Sequence, residues 1–129
     1  MMKTSTAALI RRGHALLFVR RPPGGDLGEC WELPGGKVDA DERAEAALHR
    51  ELAEELGLDA DVGDAVAEAE FRHAGTCFRL IGFEVNADVE SARLYEHEEM
   101  AFYTVDEALR LRLAPSDASL LSALPDDLR

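Results

Sequence analysis

The chain has 129 residues, 47% hydrophobic and 31% charged, with a formal net charge of −12. That length fits a single domain spanning 1–129 that buries roughly two-thirds of its unfolded surface, and no apolar run approaches the ~20 residues of a membrane span. The acidic balance makes bare nucleic acid and membrane surfaces poor partners, since both need a positive footprint.

The first residues, MMKTSTAALIRRGHALLFVRR, do not read as a signal peptide, because Arg11, Arg12 and His14 break the apolar segments. Cys30 and Cys77 are too sparse for a disulfide framework or zinc cluster and read as small buried hydrophobes in a reducing cytoplasm. Residues 4–11 predict a first strand, Gly13 a turn and residues 14–20 a second strand, together a hairpin. Pro22 to Gly28 is loop chemistry beside Arg20 and Arg21, either a substrate gate or an ordinary surface loop. Residues 30–33 form a short strand ended by Pro34, Gly35 and Gly36, where two glycines let the backbone turn and approach a ligand.

A helix follows. Asp39 and Glu42 have the spacing of a capping box, Asp41 is the rival N-cap, and Gly57 fits a left-handed C-terminal cap. Leu48, Leu52 and Leu56 make a core-facing stripe, with Glu51, Glu54 and Glu55 on the neighbouring side. Three carboxylates on one turn repel at roughly 0.2–0.5 kcal/mol per pair, at the helix end where the macrodipole is already negative. Hard divalent cations, which take oxygen ligands, would turn that cost into an asset.

Residues 62–71 predict a strand, 73–75 a turn and 76–86 a central strand apolar on both faces. Residues 95–99 are an acidic loop, 100–104 a short strand, and Thr104 with Glu107 a capping box for a helix over roughly 105–111. A last helix runs from about 117 to 123. Strands and helices are mixed without strict alternation, which points to a mixed sheet covered by helices.

Gly36, Glu42 and the run Arg50-Glu51-Leu52-Ala53-Glu54-Glu55-Leu56-Gly57-Leu58 fill every fixed position of the 23-residue Nudix box, and the chain is identified as a member of the Nudix hydrolase superfamily on that ground. The box covers less than a fifth of the chain, and WELPGGK before it and the acidic loop after it extend the resemblance. The resemblance implies an α/β/α sandwich around a mixed sheet, of α+β class. It also implies divalent-cation-dependent hydrolysis of a nucleoside diphosphate linked to another group, with Mg²⁺ as cofactor or Mn²⁺ in its place. Glu51, Glu54 and Glu55, with the carbonyl of Gly35, match the metal ligands. Gly36, Glu42, Arg50 and Gly57 match the structural part of the box, Glu42 and Arg50 bracing loop against helix. Glu96 matches an acid on a mobile loop, with Glu98 and Glu99 as rivals. Glu51 or Glu96 would accept the proton of the attacking water. The common Pro-Gly-Glu-Thr of the box is replaced by Ala40-Asp41-Glu42-Arg43, which alters the capping and spares the ligands.

The RR…WELPGGK pattern and the compact length resemble the MutT-like branch, whose members release a nucleoside monophosphate and pyrophosphate from a (d)NTP or an oxidised dNTP. By that resemblance Arg20 or Arg21 clamps phosphate, the second facing substrate. Asp117 either reads the base or caps the last helix. Motifs of the ADP-ribose, dinucleoside polyphosphate, NADH and coenzyme A groups are missing. An ADP-ribose or nucleotide-sugar pyrophosphatase and a non-catalytic nucleotide-sensing module stand as alternatives. The expected partner is a small nucleotide, with no direct nucleic acid and no membrane, and a homodimer is left open.

Overall fold

The computed structural model describes residues 2–129. Strand β1 spans Met2–Arg12 and β2 Ala15–Arg20, turning at Gly13 as a hairpin. The other elements are β3 (Trp31–Glu32), helix α1 (Ala44–Leu56), β4 (Asp61–His73), β5 (Thr76–Asn86), β6 (Glu99–Tyr103), the one-turn helix α2 (Val105–Ala108) and α3 (Pro115–Ser122). The sheet order is β3-β2-β1-β5-β4, with β6 on the other edge of β2. It is mixed, because β1 and β5 run parallel while β4 and β5 are antiparallel.

The hairpin shapes the site. β1 and β2 pair only next to their turn, at Arg11–Leu16 and Arg12–Ala15, and then diverge. Further along β2, β3 takes the vacated edge through Val19–Glu32 and Arg20–Trp31. The segment after β3 fills the opening against β1: Thr6 N–H donates to the Gly36 carbonyl, Ala8 N–H to that of Pro34, and Val38 N–H to that of Thr4. Residues 34–38 therefore lie along β1 almost as a strand would.

Side chains alternate across the sheet with the two-residue period of extended chain. On one face Ala7, Leu9, Leu16 and Phe18 pack with Leu120, Leu121 and Leu124 of the C-terminal region. On the other Ala8, Ile10, Leu17 and Val19 meet Leu48, Leu52 and Leu56 of α1. This is a sandwich with helices on both faces, and β5 is interior to the sheet, as its sequence predicts.

Several boundaries differ from expectation. α1 starts at Ala44 with Arg43 as a cap that makes no side-chain bond. Asp39 and Glu42 form a turn before the helix, the Asp39 N–H donating to Glu42 Oε1, and Asp41 sits at φ +68°. The Glu42 carboxylate is thus half of a capping box with no helix behind it, because Arg50 draws it back across the helix. Gly57 is the expected left-handed cap, its N–H donating to Ala53 while Leu58 donates to Leu52. The Thr104–Glu107 box makes both its bonds, yet α2 stops at Ala108. The last helix begins two residues early, with Pro115 at its first position and Ala114 as cap, so Asp117 is not its cap. Cys30 is buried but Cys77 is only half-buried, and both are free.

Leu52 is fully buried in the α1–sheet interface. Leu52→Ala should lower the unfolding free energy by about 2–5 kcal/mol, read by chemical denaturation. A loss under about 1 kcal/mol would contradict this packing.

Candidate active site

Glu51 and Glu55 follow Leu48 and Leu52 by three residues and therefore flank the buried stripe, whereas Glu54 turns outward. Glu55 is 4% exposed, the Glu51 side chain 18% and the Glu54 side chain 53%. The three acids are not one solvated face.

Arg50 holds this region together. Its Nε and Nη2 donate to the two oxygens of Glu42 at 2.8 and 2.9 Å, a bidentate pair. Nη1 reaches Glu51 at 2.9 Å and Glu54 at 3.3 Å, and Nη2 also donates to the Lys37 carbonyl at 3.1 Å. The guanidinium holds the Glu42 carboxyl down at about 2, well below the usual carboxylate range, with help from the Asp39 N–H. Glu42 and Arg50 thus brace the loop against the helix.

Glu55 has no such partner. Burial pushes its carboxyl up to about 9, reinforced by Glu51 and by the charges of Glu32 and Glu96. Its Oε1 is buried and unpartnered. Beside it, Gly36 lies so close that a Cβ there would overlap the Glu51 carboxylate. At Gly35, with φ +149°, a Cβ would strike the Thr6 carbonyl. At Gly35 only glycine fits, because the obstacle is backbone, whereas at Gly36 a Cβ would displace the Glu51 carboxylate; the two glycines bring the backbone of the 34–36 turn up to the acids. Among the described residues no three His, Cys, Asp or Glu side chains stand arranged around a metal position, since Arg50 holds Glu51 and Glu54.

A cleft of about 730 Å³ opens over this floor. Glu55, Glu96, Glu32 and the Gly35–Gly36 turn line one part of it, and Arg21, Lys37 and Arg72 bring positive charge. Phe71, Phe78, Leu27 and Leu33 supply apolar surface, the two phenylalanine rings stacking at 5.0 Å. Arg21 reaches the cleft and Arg20 does not: Arg20 turns to Glu29, Glu98 and Glu99 at 3.8, 3.5 and 3.3 Å. Alternation along the extended backbone separates the adjacent pair.

Asp117 lines the cleft and is 6% exposed. Its Oδ1 accepts the Leu33 N–H at 2.9 Å, tying α3 to the strand end before the glycine turn. Burial pushes its carboxyl up to about 7 against that hydrogen bond, with Glu32 adding to the rise. The sequence reading assigns no role to two cleft residues. Glu32 lies in the WELPGGK stretch and reads as a strand residue, and His97 lies in the acidic loop that extends the resemblance. Their side chains meet at 2.9 Å.

The geometry, a buried carboxylate beside a glycine turn with an arginine-braced acidic helix, defines a Nudix-type site, and the NUDIX domain description matches residues 1–124. The chain belongs to the Nudix family and is a Nudix hydrolase. It is 38% identical over 117 residues to the CTP pyrophosphohydrolase of Escherichia coli, covering 91% of this chain and 87% of that one. It is 36% identical over 121 residues to a putative 8-oxo-dGTP diphosphatase 2 of Mycobacterium tuberculosis, covering 92% and 84%. Among solved structures, the E. coli ORF135 protein superposes with a TM-score of 0.82 at 36% identity, covering 95% of this chain and 87% of that one. The MutT protein of Methanosarcina mazei Go1 also gives 0.82, at 28% identity and coverages of 94% and 91%.

The Asp117 carboxyl keeps its proton in the folded chain to about pH 7, whereas the ordinary value is 3.8. Between those values the folded state binds more protons than the unfolded one, so this group makes stability fall as pH rises from about 4 to about 7 and level off above. Asp117→Asn should therefore exceed the parent in stability by on the order of a few kcal/mol at about pH 8, with the gain vanishing near pH 4. Urea unfolding at both pH values reads this out, and a pH-independent difference would refute it.

Proposed function

We propose that this chain hydrolyses a nucleoside triphosphate, a (d)NTP or an oxidised dNTP, to the monophosphate and pyrophosphate in a divalent-metal-dependent reaction. The observation that carries this reading is the buried, unpartnered Glu55 Oε1 at the floor of a cleft of nucleotide size. A buried polar atom without a partner is costly, and a hard cation would satisfy it. The donor set is all oxygen: Glu51, Glu54, Glu55 and the Gly35 carbonyl, which suits Mg²⁺ or Mn²⁺. When bound, such ions neutralise phosphate charge and lower the pKa of a coordinated water.

The protein's own groups supply the rest. Arg21 offers a planar fork to the phosphates, and Arg20, held by three acids, is left out of the substrate contacts. Glu96 is the better candidate to accept the proton of the attacking water, because it lines the cleft while Arg50 holds Glu51. Asp117 lines the cleft with its Oδ1 taken by the Leu33 N–H, which leaves Oδ2, beside Ser116 Oγ at 3.3 Å, to meet a base edge. The relatives named for CTP and 8-oxo-dGTP support a triphosphate over ADP-ribose or a nucleotide sugar. Action on small nucleotides in the cytoplasm is consistent with the free cysteines and the net charge of −12. Among the described residues no helix is long and apolar enough to cross a membrane.

With Mg²⁺ present, profiling dNTPs, CTP, 8-oxo-dGTP, ADP-ribose and dinucleoside polyphosphates should show monophosphate and pyrophosphate released from a triphosphate. Turnover of ADP-ribose alone would overturn the substrate assignment, and nucleotide binding without turnover would favour a sensing module. Glu54→Gln should lower kcat roughly a hundredfold with the fold intact by circular dichroism. A near-normal kcat would sink the metal-site assignment.

A further inference from the structure

The segment 95–98 that carries Glu96 is tethered by its backbone at both ends. Tyr95 N–H donates to the Glu55 carbonyl at 3.1 Å and Glu98 N–H to that of Arg20 at 3.0 Å. Between these points Glu96 itself has no hydrogen-bond or ion-pair partner among the described residues. The side chain of the next residue turns inward. His97 is 7% exposed at its side chain, in a loop whose Tyr95 is 66% exposed. Its Nε2 lies 2.9 Å from Glu32 Oε2, and Glu32 Oε1 lies 3.4 Å from Arg21 Nη1. One imidazole therefore links the Glu96 loop to β3 and, through Glu32, to the arginine that faces the cleft.

Stability alone does not account for this placement. The other ring nitrogen, Nδ1, is buried without a partner, a loss that an outward-turned histidine would avoid. We propose that His97 is a positioning residue for hydrolysis: its Nε2–Glu32 contact fixes the 95–98 loop so that Glu96 is held in the cleft that Glu55 also lines. This rests on the reading of Glu96 as the proton acceptor. Holding a catalytic group within a fraction of an ångström matters because a misplacement of about 1 Å costs on the order of a hundredfold in rate.

The test is a double-mutant cycle with kcat and KM measured separately at saturating Mg²⁺ on the triphosphate the enzyme turns over best. His97→Ala should lower kcat by roughly tenfold to a hundredfold with KM within about threefold. An unchanged circular dichroism spectrum and a Tm that stays well above the assay temperature separate the effect from unfolding. His97→Gln, which keeps an N–H donor for Glu32, should recover most of kcat. In a Glu96→Ala background His97→Ala should cost no further activity, because the two act as one unit. Additive losses in an impaired Glu96→Ala background, or a normal kcat in His97→Ala, would overturn the role of His97. Full activity in Glu96→Ala alone would instead remove the reading on which the proposal rests, and the proposal with it.

Discussion

The Arg50 guanidinium is the constraint on which the rest of the site depends. It sits near the middle of an acidic helix, and it contacts Glu42, Glu51 and Glu54 together with the Lys37 carbonyl. Judged along the helix alone, three glutamates in five residues are a repulsive cluster. In the folded chain that repulsion is divided: Arg50 compensates two of the acids, and the third, Glu55, is buried, which pushes its carboxyl up from the ordinary value. The same contacts tie the loop between β3 and α1 to the helix, which keeps the glycine turn against Glu51. Without this arginine, the charge balance on the helix and the tie to the loop would be lost together.

The sheet supplies the other half of the geometry. Because β1 and β2 part just beyond their turn, an opening forms beside β1 that residues 34–38 fill with backbone hydrogen bonds. Gly35 and Gly36 stand where that segment passes between Thr6 and Glu51, and a Cβ would strike the Thr6 backbone on one side and displace the Glu51 carboxylate on the other. The cleft therefore has a rigid backbone wall, a carboxylate floor and, on its third side, the aromatic surface of the β4–β5 hairpin. The acidic end of the cleft is built on a helix and a sheet edge, while its other walls come from loops, the β4–β5 hairpin and α3.

Much of the fold was legible because it is written in local periodicity. The leucine stripe of α1, the Gly57 cap, the first hairpin and the interior character of β5 all follow from patterns within a dozen residues. The limits of α1, α2 and α3 were less legible, since capping residues compete with tertiary partners. Glu42 is drawn to Arg50 and not to a helix start, and Asp117 to the Leu33 N–H and not to its own helix end. At the site, the Nudix box pointed to the acidic helix and its bracing arginine, and the resemblance to the MutT-like branch favoured the second of Arg20 and Arg21, but local pattern assigned no role to Glu32 or His97.

What the sequence determined by itself is the family and the chemical inventory: an acidic helix, two glycines before it, and arginines near the end of β2. Those depend on spacing along one element or one turn. What only the tertiary structure decided is which groups face one another. Glu55 turns inward and Glu54 outward, Arg20 is held by Glu29, Glu98 and Glu99, and contacts form between residues 65 apart at His97–Glu32 and 84 apart at Asp117–Leu33. The reason is physical: helix and strand periods assign a residue to a face, but which faces meet depends on how the two layers of helices pack on a sheet split at β1.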